Sequence, residues 1–398
     1  MLKNPLDFDA SAVLRPYAPL LEKATQPIQT ANGLPNACYR DPGVFAAESD
    51  VVLQRGWAGL AHVADVPNCY DVKVCDFLGM PLILVRDGDD RIRVFHNVCR
   101  HRGMILVDND TNTRVLRCRY HSWTYGLDGA LRQTPHLGGH GQSTHKDFDP
   151  SCAGLKEVRS AVIFGTVFIN LSGNAAPFED YIATVSDRWS DFIHVPMHAT
   201  TTDCAFFLDV ACNWKLAVEN YCEAYHLPFV HPELNRNSRL EDHYNIESTS
   251  YAGQGSRDYN NPATSDERIF PNAKGLSSFW QTGSEYLAVF PNVLLGAHKD
   301  HFFSIVLEPL DAGRTREHIQ LYYFDAMACQ PEYQTMRAEL KRFWRTVFEE
   351  DIFAIESMQE GRRSPAYDGG IFSPAMDGPT ATFHRWIANK LISANRIA

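Results

Sequence analysis

Cys99-Arg100-His101-Arg102-Gly103 and, after sixteen residues that follow His101, Cys118-Arg119-Tyr120-His121-Ser122-Trp123 decide how this chain is read. Each stretch offers one thiolate and one imidazole at short spacing, so each can form a tight loop that grips metal from one side. Together Cys99, His101, Cys118 and His121 make a four-ligand pocket. Two cysteines and two histidines also suit tetrahedral zinc, which is the structural alternative. Zinc knuckles, however, generally pair Cys with Cys and His with His, whereas both knuckles here are mixed.

Mixed loops are what a Rieske [2Fe-2S] cluster requires, with two thiolates on one iron and two imidazoles on the other, the imidazoles raising the reduction potential. Gly103 and Gly126 fit tight turns beside the ligands. Trp123 and Tyr125 are expected to shield the cluster. Arg100, Arg102 and Arg119 are either solvated loop charges or a meeting point for an acidic electron donor.

Around these loops the sequence reads as short strands. Residues 82–85 and 92–95 flank Asp87-Gly88-Asp89-Asp90, a hairpin pattern, and residues 158–169 read as a strand. Residues 45–170 are therefore expected to form an all-β domain. Beyond them, 201–210 and 301–309 look extended, 213–225 and 332–360 look helical, and 258–265 is a polar loop. The expected fold class is α+β, with residues 171–398 as a second domain and residues 1–44 packed against it.

A second metal motif lies in Asn220-Tyr221-Cys222-Glu223-Ala224-Tyr225-His226-Leu227-Pro228-Phe229-Val230-His231. On a helix Glu223 and His226 share a face. Pro228 ends or kinks that helix, which lets His231 turn back toward the same point. Two histidines need a carboxylate to complete the facial triad of non-haem iron oxygenases. Trp344, Phe348, Asp351, Ile355 and Met358 recur at helical spacing, so Asp351 interrupts an apolar stripe, where a carboxylate is costly unless something binds it. Its neighbours Glu349 and Glu350 lie off the stripe and read as solvated. The bland alternative for Asp351 is a buried, hydrogen-bonded acid, and for each histidine a satisfied core residue.

The chain has 398 residues, 37 basic against 48 acidic, and a formal charge of -11 without any basic block, which argues against nucleic acid as a partner. Apolar runs such as 161–169 fall far short of the roughly 20 residues that span a bilayer. The N-terminus lacks the order of a secretory signal, and the 10 cysteines suggest no disulfide framework. A cytoplasmic protein with reduced thiols is expected, with no membrane partner. No glycine-rich dinucleotide fingerprint occurs, so any nicotinamide must be used on another protein.

Together the two motifs resemble the Rieske-type non-haem iron oxygenase alpha subunits, also called ring-hydroxylating oxygenases. The resemblance implies an N-terminal Rieske domain, a helix-grip catalytic domain with an antiparallel sheet, a mononuclear Fe(II) on His226, His231 and Asp351, and a homotrimer. It implies an NAD(P)H-dependent flavin and iron-sulfur reductase as partner, and an acidic residue before the first iron histidine as the electron bridge between the two metal sites. That position holds Glu223 rather than the usual Asp, and the chain is similar to the branch that oxidises quaternary ammonium compounds. The implied reaction hydroxylates an N-methyl group of a small betaine, such as proline betaine or glycine betaine, with O2, giving formaldehyde and the demethylated amine. Hydroxylation of an aromatic ring is the rival, and electron transfer without oxygenation the reading from another class. Asn220 is a candidate support for the iron ligands. Phe207, Trp280, Tyr286, Phe290 and His298 are candidate substrate contacts, against ordinary core packing. Ser122 replaces the glycine commonly found after the second cluster histidine.

Overall fold

The computed structural model describes residues 10–260 and 268–396, so part of the polar loop expected at 258–265 lies outside the described residues. The chain divides into two compact units, Leu60–Gly173 and a second formed by Met1–Gly59 with Asn174–Ala398. The first boundary thus falls at Gly59 rather than at residue 44.

The 60–173 unit is built on a seven-stranded sheet in the order Ala58–His62, Thr166–Asn170, Glu157–Ile163, Ile92–His96, Met80–Arg86, Asp71–Phe77 and Thr111–Asn112. A smaller sheet joins Val115–Arg117, Thr124–Gly126 and Leu131–Gln133. The hairpin at residues 86–92 forms as expected, because the Asp87 carboxylate accepts from the backbone N–H groups of Asp89 and Arg91 at 2.9 Å. The single strand expected over 158–169 is instead two antiparallel strands that turn at Phe164 and Gly165, with φ of 49° and 69°. Positive φ at both central residues gives the two-residue turn whose twist suits a hairpin, and a phenylalanine there hides it from a sequence reading. Val72, Ile83, Val85, Phe95 and Leu116 share one buried core with Cys99 and Cys118. The thiolate-bearing loops are therefore seated on the domain's own core.

In the second unit, a seven-stranded antiparallel sheet runs Ala205–Val210, Arg314–Tyr323, His301–Asp311, Val293–Ala297, Ser284–Val289, Tyr251–Ser256 and His243–Glu247. The helix Trp214–Cys222 starts where the Asn213 side chain accepts from Lys215 N, an ordinary N-cap. The long helix Gln334–Gly361 buries Leu340, Trp344, Phe348 and Ile355 in the core that includes Phe303 and Ile305 of the sheet. The N-terminal segment is pinned to this unit by charge as well as by packing. Glu48, fully buried, accepts from Lys215 Nζ at 2.7 and 2.8 Å and from Trp214 Nε1 at 2.7 Å. Removing either ion alone would leave a buried unpaired charge, which costs about 3 to 5 kcal/mol.

Candidate metal centres

The two cluster loops share one backbone plan. Cys99 N donates to Met104 O at 2.7 Å and Gly103 N to Cys99 O at 3.0 Å; Cys118 N donates to Trp123 O at 2.8 Å and Ser122 N to Cys118 O at 2.9 Å. The fourth residue after each cysteine is left-handed, Gly103 at φ 73° and Ser122 at φ 55°. Gly126 has no such role, since it lies within the strand Thr124–Gly126. Cys99 and Cys118 are buried, whereas His101 is exposed and His121 half-buried. The imidazoles meet at 3.2 Å between Nδ1 atoms. Burial, then His121 and Arg102, holds the His101 pKa below the ordinary imidazole range. Trp123 stacks on His101 at 4.7 Å and 7°, and the Tyr125 hydroxyl lies 3.3 Å from Cys99 Sγ. Tyr125 is therefore placed to do more than shield, because a hydrogen bond to a sulfur that held a cluster would tune its potential.

In the catalytic unit one group of three or more metal-binding donors converges within 4.8 Å among the described residues: His226, His231 and Asp351. Asp351 Oδ1 is 2.9 Å from His231 Nε2 and 3.6 Å from His226 Nε2. Cys99, His101, Cys118 and His121 do not converge within that distance.

The route by which the chain assembles the triad differs from the helical one expected. The helix ends at Cys222, and Glu223 is extended at φ -124° and ψ 158°. Its carboxylate reaches His226 by a turn, accepting from the backbone N–H groups of Tyr225 and His226 and contacting His226 Nδ1 at 2.6 Å. Pro228 then opens the short helix Leu227–Val230 rather than breaking a longer one, since the first turn tolerates a residue without N–H. His231 stands between two short helices, and Pro232 opens the second.

Each histidine thus has Nε2 facing Asp351 and Nδ1 held by another acid. For His226 that acid is Glu223; for His231 it is Glu350, with Oε2 at 2.8 Å from Nδ1. Burial lowers the His231 pKa, but Asp351 and Glu350 outweigh it and the net shift is upward. This donor set, two imidazoles turned by carboxylates toward a third, fits a mononuclear iron. His243 lies nearby with both nitrogens committed, Nδ1 to Gln254 and Nε2 to Ser238.

Asn220, Tyr221, Tyr286, Phe303, Trp344 and Phe348 line the pocket that holds the triad. Of the substrate candidates, Tyr286 is therefore at the site. His298 is one layer behind it, its ring 5.5 Å from that of Tyr286. The other three lie among other partners. Phe207 is exposed beneath the Arg316 guanidinium, Trp280 packs on Phe192 and Phe279, and Phe290 packs on Phe383 and Trp386. The sequence reading missed Phe303 and Tyr221, whose signal was proximity to the motif or to His301, and Glu350, whose signal was adjacency to Asp351.

The sequence matches the Rieske [2Fe-2S] domain family over residues 56–148 and the ring hydroxylating alpha subunit (catalytic domain) family over residues 187–393. The chain belongs to the ring-hydroxylating alpha subunits: it is a Rieske non-haem iron oxygenase subunit, with one domain for a [2Fe-2S] cluster and one for a mononuclear iron. Among its relatives, the carnitine monooxygenase oxygenase subunit of Escherichia coli (strain K12) is 27% identical, over 86% of this chain and 87% of that one. The glycine betaine monooxygenase oxygenase subunit of Chromohalobacter salexigens is 34% identical over 54% of this chain and 46% of its own length. The crystal structure of the quaternary ammonium Rieske monooxygenase CntA with L-carnitine superposes with a TM-score of 0.74 at 22% identity, covering 93% of this chain and 98% of that one. That likeness establishes the shared fold. Among the described residues no helix is long and apolar enough to cross a membrane.

Proposed function

We propose that the protein is the terminal oxygenase of a two-component monooxygenase that removes an N-methyl group from a quaternary ammonium compound, a small betaine. Cys99, His101, Cys118 and His121 hold the cluster in this reading, and His226, His231 and Asp351 hold the iron. The observation that carries the substrate class is the lining beside the triad. Tyr221, Tyr286, Phe303, Trp344 and Phe348 present five aromatic side chains, and Asp351 is the one formally charged residue, histidines aside. A quaternary ammonium cannot donate a hydrogen bond and is held best over π faces. The substrates named for the carnitine and glycine betaine relatives point the same way.

The bound iron would supply the activation of O2. One oxygen atom enters a methyl C–H bond, and the other leaves as water with two electrons and two protons. The N–C bond of the hydroxymethyl product then breaks to give formaldehyde, a tertiary amine and a proton. The electrons come from an NAD(P)H-dependent reductase, a separate protein. Glu223, on His226 Nδ1, is the bridge by which they reach the iron, and the chain works as a trimer. Ten cysteines, none of them in a disulfide, suit a reducing, cytoplasmic setting.

The test supplies reductase, NAD(P)H and O2 with glycine betaine, proline betaine, carnitine, choline and salicylate, and measures product together with formaldehyde. Formaldehyde equal to the amine formed supports the proposal. A hydroxylated ring from salicylate, with no coupled betaine turnover, would move the assignment to aromatic hydroxylation.

A further inference from the structure

Directly behind the aromatic lining, the catalytic unit buries polar atoms that its own hydrogen bonds leave unused. His298 is 1% exposed, and neither of its ring nitrogens has a hydrogen-bond partner. Tyr259 is 6% exposed, and its hydroxyl has none either. The two rings touch, with centroids 4.6 Å apart. Folded proteins satisfy nearly all their buried polar atoms. Two unsatisfied side chains in contact therefore call for a partner from outside the chain, a water molecule or a ligand group.

The location of this pair ties it to the iron pocket. The His298 ring centroid lies 5.3 Å from that of Trp344, 5.5 Å from Tyr286 and 6.2 Å from Phe303, three of the rings that line the space beside the triad. On its other side His298 stacks on His301 at 4.2 Å and 7°. His301 cannot satisfy it, because its Nδ1 is held by Asp300 at 2.7 Å and its Nε2 accepts from Trp344 at 2.9 Å. The Tyr286 hydroxyl accepts from Ser284 at 3.3 Å, which leaves its own proton free to donate. Burial, and His301 after it, holds the His298 pKa well below the usual imidazole range, so the ring is neutral and offers one N–H.

We propose that His298 and Tyr259 form the polar end of the substrate site and bind the carboxylate of a zwitterionic quaternary ammonium substrate. The cationic end of that substrate rests on the aromatic faces next to the triad. The proposal rests on the quaternary ammonium reading above and makes it narrower. A carboxylate is acceptor-only and can take the N–H of His298 and the O–H of Tyr259 on its two oxygens. A zwitterion also brings its own counter-charge. That suits a lining whose one formal charge belongs to a metal-facing carboxylate, whereas a net cation such as choline would enter with no anion free to balance it.

Calorimetric titration of the iron-loaded holoenzyme separates the two readings. Glycine betaine, proline betaine and carnitine carry a carboxylate; choline carries a hydroxyl in its place. The best-bound zwitterion is expected to bind at least about tenfold tighter than choline, and Tyr259→Phe to weaken that zwitterion about tenfold while choline changes less than about twofold. His298→Gln, which keeps a donor, is expected to lose less affinity than His298→Phe, and it serves as the second variant should Tyr259→Phe fail to fold. Choline binding as tightly as every zwitterion, or variants that weaken both kinds of ligand alike, would overturn the carboxylate site and leave the quaternary ammonium reading standing. Failure of the parent to bind any of the four would overturn both.

Discussion

Glu350 Oε2 lies 2.8 Å from His231 Nδ1, and this contact fixes which nitrogen of the ring is left for metal. The opposite nitrogen, Nε2, lies 2.9 Å from Asp351 Oδ1, so two consecutive residues of one helix hold both ends of one imidazole. Adjacent helix positions point about a quarter-turn apart, and that lets Asp351 face the proposed iron while Glu350 holds the far nitrogen of His231.

Removing Glu350 should therefore weaken iron binding without abolishing the site. Glu350→Ala is expected to lower mononuclear iron affinity by about 10- to 100-fold, the usual effect of losing a carboxylate behind a ligating histidine. Asp351→Ala, which removes a ligand, should lose that iron altogether. Both variants should keep the visible spectrum of the cluster. Iron retention after graded chelator dialysis measures the difference. Equal retention in Glu350→Ala and the parent would sink the positioning role.

The convergence of His226, His231 and Asp351 was legible because each broke a local pattern: Asp351 interrupts the Trp344, Phe348, Ile355 stripe, and the histidines flank a proline. Glu350 was not legible, because one position off the stripe describes a solvated acid as well as a ligand's partner. Glu223 and His226 do meet, but through a turn rather than along a helical face. Spacing alone cannot tell a helical face from a turn that closes on its own N–H groups. The mixed knuckles pick out Cys99 and Cys118 but say nothing of their seating on the domain core, and the turn at Phe164 depends on a backbone conformation that its residue type does not favour. Substrate contacts were the least legible. An aromatic residue has the same sequence character whether it sits beneath Arg316, as Phe207 does, or beside the triad, as Tyr286 does.

Ser122 offers a test of local strain. It occupies the left-handed position that Gly103 fills in the partner loop, and a non-glycine residue there costs roughly 1 to 2 kcal/mol. Part of that is offset in Ser122→Gly by the greater freedom of glycine in the unfolded chain. The net expectation is a gain of about 1 kcal/mol in the stability of the cluster domain. Slower loss of the cluster absorbance in denaturant would register it. A variant that bleaches faster than the parent would show that the serine side chain stabilises the loop by more than its backbone costs.

Glu223 is held by three contacts, two from backbone N–H groups and one to His226 Nδ1. Glutamine keeps the length and one acceptor oxygen for the two backbone N–H groups, so Glu223→Gln should preserve the turn. Its NH2 cannot accept from His226 Nδ1, so iron affinity should fall, which excess iron offsets. The substitution removes the negative charge beside His226 Nδ1, and with it the link by which electrons are proposed to pass. Cluster oxidation in a single turnover, followed by its visible bleaching and recovery under O2 and substrate, is therefore expected to slow by about tenfold or more, a loss equivalent to about 1.4 kcal/mol in the barrier. Iron content separates this from a structural failure: a variant that has lost iron says nothing about passage, so the rate is read on protein with full metal occupancy. Glu223→Asp restores the charge on a shorter arm and should recover part of the rate if charge is what matters. An iron-replete Glu223→Gln protein whose cluster oxidises as fast as the parent's would remove Glu223 from the electron path and leave it as a support for the turn that carries His226.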